Sequence, residues 1–233
     1  MYFYWDPTYI LVIIGAVICA IASVNVSATF KKYAKSTNLR NMTAEEVAQR
    51  MLFSAGIRDV RIERVGGNLS DHYSPKEKVL RLSDSVYGSR SVAAIGVAAH
   101  ECGHAIQHAQ GYAPLALRSK LVPLVSFSSS IATWVIIGGL ILMASTNNET
   151  LCWIGIGLVA MSALFSIVTL PVEYNASERA LAWLESSRTL QGEELDGARI
   201  ALRWAARTYL VAALSAIATV LYYITLITGR RND

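Results

Sequence analysis

Two histidines and a glutamate occupy a spacing that suits metal chemistry. His100 and His104 stand four residues apart, and Glu101 follows the first of them. On a helix, residues four apart lie one turn along and on nearly the same face, so both imidazoles can converge on one zinc ion. Glu101 would then reach a water in the open metal position and act as its base. The alternative is a pair of helix histidines with ordinary partners, which the mainly apolar surroundings disfavour.

A third histidine continues this spacing, but its position does not suit the same ion. His108 lies about 12 Å along the helix from His100, too far for both to share one tetrahedral zinc unless the helix breaks. Gln107 and Gln110 also stand where the longer H-E-x-x-H-x-x-G-x-x-H pattern has a glycine and its third histidine. We expect His108 to lie beside the site or on the surface, and Cys102 to serve packing.

Four long apolar runs dominate the rest of the chain. The length of each run is close to the roughly 20 residues that a helix needs to cross a bilayer, and none of the runs contains Lys, Arg, Asp or Glu. Four such runs in 233 residues would leave too little polar chain to cover them in a soluble fold. We therefore predict four transmembrane helices, in Tyr9–Ala28, Leu121–Ala144, Leu151–Leu170 and Thr208–Thr228.

The basic residues predict how these runs are oriented. Of the 21 Lys and Arg residues, 14 fall in 31–120, five in 173–207 and two, Arg230 and Arg231, at the C-terminal end. Because cytoplasmic loops are enriched in Lys and Arg, the first two segments are predicted to be cytoplasmic. The N-terminus and residues 145–150 would lie outside, as would the C-terminal tail, although its two arginines argue against that side. No positive charge precedes the first run, which indicates an uncleaved anchor rather than a secretory signal.

The composition also limits the partners. The three cysteines lie in or beside the apolar runs or within the histidine motif, so no disulfide framework is predicted and all are expected to be reduced. The net charge of +4 suits loops beside anionic lipid. No basic patch interleaved with aromatic residues is present, so a nucleic acid is not an expected partner.

The polar segment after the first run predicts a small mixed α+β unit. Thr43 and Glu46 form a capping-box pattern that opens a short helix, and Gly56 ends it. Three extended pieces follow, and then the helix that carries the histidine motif. A break near Gln191-Gly192 divides residues 173–207 into two helical pieces. The three strands are predicted at Val60–Val65, Asn68–Ser74 and Val79–Ser83, and the motif helix at roughly Arg90–Gln110.

A third metal ligand must come from another part of the chain. Glu173 emerges at the inner end of the third apolar run, on the same predicted side as the histidines. The alternative for this residue is a carboxylate that merely ends a transmembrane helix at the membrane surface. Glu178 is a rival ligand, although it lies over one helical turn deeper in the segment.

Three stretches of this sequence resemble one known family. Asp71-His-Tyr-Ser-Pro75, Ala98-Ala-His-Glu-Cys-Gly-His-Ala-Ile-Gln107 and Pro171-Val-Glu-Tyr-Asn-Ala-Ser177 are similar to the YugP-like neutral zinc metallopeptidases of bacterial membranes. The likeness covers nearly the whole chain, including the placing of the apolar runs. More distantly, the chain resembles the HtpX and CAAX-prenyl endopeptidase group, which has a hydrophobic hairpin between its H-E-x-x-H motif and a Glu-x-x-Ala-Asp motif. Glu173 matches the metal-binding glutamate of that second motif, while Ser177 replaces its aspartate.

The resemblance also implies a role for residues before the motif helix. In related zincins an edge strand beside the metal pairs with the substrate backbone, and Asn68–Ser74 is the candidate strand here. His72 and Tyr73 would supply a hydrogen bond to the oxyanion of the reaction. The alternative for these residues is a plain polar turn ahead of Pro75.

These patterns together predict a mainly α membrane protein, with about four transmembrane helices and a small cytoplasmic α+β zincin-like metalloprotease domain. His100, His104 and Glu173 would bind Zn2+, and Glu101 would be the general base. The predicted activity is endopeptidase cleavage of membrane or membrane-proximal polypeptides, in the cell membrane, with the catalytic site on the cytoplasmic side. The alternatives are a metal-binding scaffold without proteolytic activity, which the intact Glu101 disfavours, and a zinc hydrolase acting on another substrate, which the candidate substrate strand weakly disfavours.

The predicted organisation along the chain has five parts. They are an N-terminal transmembrane anchor at 1–30, a cytoplasmic domain with the histidine motif at 31–120, a transmembrane hairpin at 121–172, a cytoplasmic helical segment with the third zinc ligand at 173–207, and a fourth transmembrane helix with its tail at 208–233.

Overall fold

The computed structural model describes residues 9–229, and helices account for most of them. The elements in chain order are α1 (Tyr9–Tyr33), α2 (Ala44–Ser54), β1 (Arg61–Val65), β2 (His72–Ser74), β3 (Val79–Ser83), α3 (Val92–Ala109), α4 (Ala113–Thr146), α5 (Thr150–Ser186) and α6 (Glu193–Gly229).

Four of these helices, α1, α4, α5 and α6, are long and apolar enough to cross a bilayer. Each contains one of the apolar runs seen in the sequence and extends beyond it. The predicted fold class, a mainly α membrane protein with a small α+β part, is confirmed.

The polar segment 173–207 is continuous with two of the long helices, since it consists of the end of α5, a turn and the start of α6. The predicted break in it is confirmed, at a turn where Gly192 has a φ of +54°. The tail arginines, Arg230 and Arg231, lie outside the described residues.

Local hydrogen bonds fix where the two short helices begin. The Thr43 side chain accepts the backbone N–H of Glu46 at 3.4 Å, and the Glu46 carboxylate accepts that of Thr43 at 2.9 Å. The predicted capping box is therefore confirmed, and it satisfies two amide groups that have no partner within the helix. Helix α3 begins at Val92, because the Ser91 hydroxyl accepts the Ala94 N–H at 3.2 Å.

The three strands form one small sheet in the order β1-β3-β2. Strand β3 pairs with β1 in parallel and with β2 in antiparallel fashion, so β1 and β2 are the two edge strands of the sheet. Strand β2 is shorter than the predicted Asn68–Ser74, because Leu69 adopts a φ of +55° that turns the chain. The Asp71 carboxylate then accepts the backbone N–H of Ser83 at 2.7 Å and its hydroxyl at 2.8 Å, which ties the start of β2 to the end of β3.

The chain divides into two compact units. Within the described residues, the first comprises 9–22, 117–169 and 208–229. Close helix packing is visible in it at Gly139, where an added Cβ would meet the Cys152 backbone nitrogen at 2.8 Å. The Ser129 and Ser162 hydroxyls lie 3.2 Å apart, as small polar residues do at helix contacts in membranes. Large apolar side chains such as Trp134 are exposed, which suits a surface that faces lipid.

The second unit comprises Ser23–Ala116 and Leu170–Arg207, and it holds the residues of the histidine motif. Its core is built around α3, whose first half is buried on every side, as its all-apolar sequence predicts. Helix α2 packs Val47, Met51 and Leu52 into this core, and β3 contributes Leu80 and Leu82. Helix α3 is thereby held on several sides, which fixes the directions of the polar side chains that it carries.

Candidate metal centre

His100 and His104 lie one turn apart on α3, and their rings meet edge to face. The ring centroids are 4.7 Å apart, with planes at 82°. Both side chains are largely buried, the exposed fraction being 13% for His100 and 8% for His104. Two imidazoles on successive turns thus point to one place, as the four-residue spacing predicts.

Glu173 of α5 reaches the same place from the other segment of this unit. One of its carboxylate oxygens lies 3.1 Å from His100 Nε2, and the other lies 3.7 Å from His104 Nε2. One potential ligand atom from each of these three residues lies within 4.8 Å of the other two. Burial raises the pKa of Glu173, which stands beyond the apolar run, but the hydrogen bonds and charges of the two histidines lower it to well below its usual range. The carboxylate is therefore ionised and available as a ligand.

A glycine inside the histidine motif allows α5 to come this close to α3. A Cβ built on Gly103 would lie 2.5 Å from the carbonyl oxygen of Ala176 and 3.0 Å from its Cα. No side chain fits in that space. Since Ala176 is three residues after Glu173, the close contact at Gly103 sets the distance between Glu173 and the two imidazoles.

The outer nitrogen of each histidine also has a partner. His100 Nδ1 lies 3.1 Å from the Ser177 hydroxyl, and His104 Nδ1 lies 3.0 Å from Gln107 Oε1. Histidines that bind metals usually have such partners, which orient the ring and leave the other nitrogen for the ion. The Nε2 atoms of both rings are the ones that face Glu173.

Glu101 lies on a different side of α3 and contacts the sheet. Its carboxylate accepts the backbone N–H of Tyr73 at 3.0 Å through Oε2. Glu101 is buried and is not part of the three-residue cluster. The carboxylate of the motif is thus bonded to edge strand β2, whereas the two imidazoles face α5.

Tyr73 makes a second contact with α3 through its side chain. The hydroxyl lies 2.9 Å from His108 Nδ1, and the two rings pack with centroids 5.8 Å apart. Burial raises the pKa of the Tyr73 phenol, and the nearby Asp59 carboxylate raises it further. His108 therefore lies beside the site, bonded to the strand, and is not in the cluster of potential ligands.

The other residues singled out in the sequence lie apart from the cluster. His72 is exposed, and its Nδ1 is 2.8 Å from the Ser70 carbonyl oxygen. Glu178 lines a cavity of about 440 Å³ between α5 and α6 and is not among the clustered ligands. Cys102 is fully buried, with its thiol 3.5 Å from the Ala48 carbonyl oxygen, as expected for packing, and burial raises its pKa well above the ordinary value.

Sequence reasoning missed the contacts of three residues around the cluster: Gly103, Gln107 and Ser177. In the sequence, Gln107 and Ser177 stand out only as departures from known patterns, and Gly103 only occupies a variable position of the motif. A signal was present for Gln107, because an amide on the largely apolar motif helix requires buried partners. For Gly103 and Ser177 the partner lies more than 70 positions away, and no local pattern predicts it.

The donor set fits a catalytic zinc ion. Two imidazole nitrogens and one carboxylate oxygen are a known ligand combination for catalytic zinc, which keeps its fourth position for water. His104 and Glu173 are buried and His100 is largely so, and both imidazoles have hydrogen-bond partners on the far side. Helices of bilayer length together with an H-E-x-x-H helix and this ligand set define the class of membrane metallopeptidases.

Comparisons with known proteins agree with this class. The family described as "Putative neutral zinc metallopeptidase" matches residues 8–228, and the chain belongs to that family. The curated protein named "Putative membrane protease YugP", from Bacillus subtilis (strain 168), is 40% identical over 214 residues, covering 91% of this chain and 92% of that protein. No solved structure matches the chain. The enzyme is thus a zinc metallopeptidase of a membrane, and the predicted family is confirmed.

Proposed function

We propose that this peptidase is an integral-membrane endopeptidase that hydrolyses peptide bonds of membrane or membrane-proximal proteins, with His100, His104 and Glu173 as zinc ligands. The observation that carries the proposal is the convergence of these three largely buried side chains, whose potential ligand atoms lie within 4.8 Å of one another. A zinc ion bound there would polarise the scissile carbonyl and acidify the attacking water. The remaining chemistry falls to the residues around it.

We assign the general base to Glu101. Hydrolysis needs a group that takes a proton from the attacking water and passes it to the leaving amine. Glu101 follows the first ligand directly in the sequence. Among the hydrogen bonds of the described residues, its carboxylate accepts one from the Tyr73 N–H, and it does so through Oε2. Its Oε1 is therefore available to accept a proton from water. The bond from the strand holds the carboxylate in one orientation, which favours proton transfer along a fixed path.

The substrate backbone would pair with β2, which supports a polypeptide as substrate. In an antiparallel strand the N–H and C=O of one residue point to the same side. Because the Tyr73 N–H points to Glu101, its carbonyl also points away from β3 and can accept a hydrogen bond from an added strand. Paired there, a substrate would lie directly beside the base.

His72 and Tyr73 are our candidates for the hydrogen bond to the oxyanion. The Tyr73 hydroxyl is held by His108 at 2.9 Å, next to the strand on which the substrate would lie. The His72 ring, bonded to the Ser70 carbonyl, would have to rotate towards the substrate. A preorganised donor stabilises charge that develops in the transition state, so Tyr73 is the stronger candidate.

We further propose that the site faces the cytoplasm of the cell membrane. The segments 31–120 and 173–207, which contain all proposed site residues, carry 19 of the 21 Lys and Arg residues. Cytoplasmic segments beside a membrane are enriched in these residues. In the proposed organisation, these two segments form the catalytic part, while 1–30, 121–172 and 208–233 anchor it. Its substrates would then be polypeptides that lie in the bilayer or next to its inner face.

The test replaces Glu101 with glutamine in detergent-solubilised protein. Glu101→Gln keeps both imidazoles and Glu173, so it should retain about one zinc per chain, while casein cleavage should fall by about 10²–10⁴-fold. The matched control is Glu178→Gln, the same change of charge on a carboxylate outside the cluster, which should cleave casein like the wild type. Added chelator should abolish cleavage by the wild-type protein. Full activity of Glu101→Gln would show that Glu101 is not the proton shuttle.

A further inference from the structure

A buried amide connects the histidine motif to helix α5. Gln107 is fully buried one turn after His104. Its side-chain nitrogen donates to the Val172 carbonyl oxygen at 2.8 Å and to Asn175 Oδ1 at 3.0 Å. Its side-chain oxygen lies 3.0 Å from His104 Nδ1. This one amide therefore contacts the proposed metal ligand His104 and two residues close in sequence to Glu173, another proposed ligand.

The chemistry of the partners fixes which way this amide points. A backbone carbonyl such as that of Val172 can only accept a hydrogen bond. Asn175 Oδ1 also accepts from Arg179 Nε at 2.7 Å, and a guanidinium can only donate, so this atom is an acceptor as well. The Gln107 atom that faces both acceptors must be its NH2 group. A flipped amide would leave two acceptors, one of them buried, facing an oxygen, which is disfavoured.

The orientation of the amide then determines the position of a proton on His104. The Gln107 oxygen has no hydrogen to give, so the 3.0 Å contact with His104 Nδ1 requires a hydrogen on that nitrogen. We propose that Gln107 is a positioning residue that keeps the Nδ1 hydrogen on His104 and thereby presents Nε2 to the metal. This inference rests on the proposed metal site.

The other histidine is oriented by a different kind of group. His100 Nδ1 faces the Ser177 hydroxyl at 3.1 Å, and a hydroxyl both donates and accepts. Ser177 therefore tolerates a hydrogen on either nitrogen of His100. The direction of the bonds that Gln107 makes follows instead from two groups of fixed character, the Val172 carbonyl, which can only accept, and Arg179, which can only donate. Gln107 therefore requires a hydrogen on Nδ1 of His104, whereas Ser177 places no such requirement on His100.

The test reads the protons of His104 directly by NMR. Full-length protein labelled with 15N at its four histidines is stripped of metal in detergent and studied at pH 9, well above the usual imidazole pKa of about 6.5. Two-bond 1H–15N correlations show which ring nitrogen carries hydrogen, and substitution of His72, His100 and His108 assigns the signals. In the wild type, His104 Nδ1 should carry hydrogen throughout.

Two variants report whether Gln107 is the cause. Gln107→Leu should give a mixture of His104 tautomers and should weaken zinc binding, measured by competition with a chelator, by about 10–100-fold. The matched control is Gln49→Leu, the same change at an exposed position of α2, which should leave both readouts unchanged. A thermal unfolding curve for each variant establishes that it is folded.

The proposal is overturned if His104 Nδ1 in the wild type lacks its hydrogen, a result that does not require any change at Gln107. It is also overturned if folded Gln107→Leu keeps the wild-type tautomer and zinc affinity. Neither readout involves peptide cleavage, so a wild-type protein without endopeptidase activity would refute the proposed function while leaving this test intact.

Discussion

The contact between Gly103 and Ala176 predicts a large effect from a single methyl group. In Gly103→Ala the added Cβ would lie 2.5 Å from the Ala176 carbonyl oxygen, whereas carbon and oxygen approach to about 3.3 Å at closest. Helix α5 must therefore retreat by about 1 Å, and Glu173, three residues before Ala176, must move with it. Metal sites hold ligand distances to about 0.2 Å. We expect the variant to lose most of its bound zinc. Its peptidase activity should fall at least about 10²-fold, since a displacement of about 1 Å lowers activity by about that factor.

A second glycine on the same helix provides the control. A Cβ on Gly96 would meet the Ala198 Cβ at 3.4 Å, an ordinary contact. Replacing a mid-helix glycine by alanine favours the helix by about 1 kcal/mol, so Gly96→Ala should be at least as stable as the wild type and fully active. Zinc per chain is measured by metal analysis after gel filtration, and activity by casein cleavage. If Gly103→Ala retains both zinc and activity, the contact with Ala176 does not set the position of Glu173.

Two further predictions follow from the proposed ligands and orientation. Glu173→Ala should lower bound zinc strongly, whereas Glu178→Ala should keep about one zinc per chain; metal analysis giving the reverse pattern would show that the wrong carboxylate was assigned. Reporters fused after residues 118 and 190 should read cytoplasmic, and one inserted near Asn147 should read external, because the basic residues concentrate in 31–120 and 173–207. Finding 118 and 190 on opposite sides of the membrane would make a shared metal site impossible.

The parts of the fold that depend on local sequence were predictable. Each apolar run lies within a helix of bilayer length, and the Thr43–Glu46 capping box opens α2, because such patterns specify structure within a few residues. The predicted strand Asn68–Ser74 was too long, because the left-handed conformation of Leu69 and the bond from Asp71 to Ser83 override its extended pattern. Strand pairing is decided by the partner strand, which a local pattern does not contain.

In the candidate site, too, the local arrangement was predictable from the sequence and the long-range contacts were not. The spacing of His100 and His104 implies a shared face, since both lie on one helix. The bond between Glu101 and the Tyr73 N–H links residues 28 positions apart and became visible only in the structure. The same is true of the bond from Gln107 to Val172, 65 positions away. Such contacts depend on how helices and strands dock, so they could not be obtained from spacing.

The serine beside His100 has a consequence for the net charge of the buried site. With neutral imidazoles, the site contains two carboxylates, those of Glu101 and Glu173, and a bound divalent cation would bring their sum to zero. An aspartate at position 177 would add a third negative charge in a region shielded from water, where an uncompensated charge is costly. The Ser177 hydroxyl orients the ring through an uncharged hydrogen bond. The metal-loaded site can therefore remain electrically neutral until the substrate arrives.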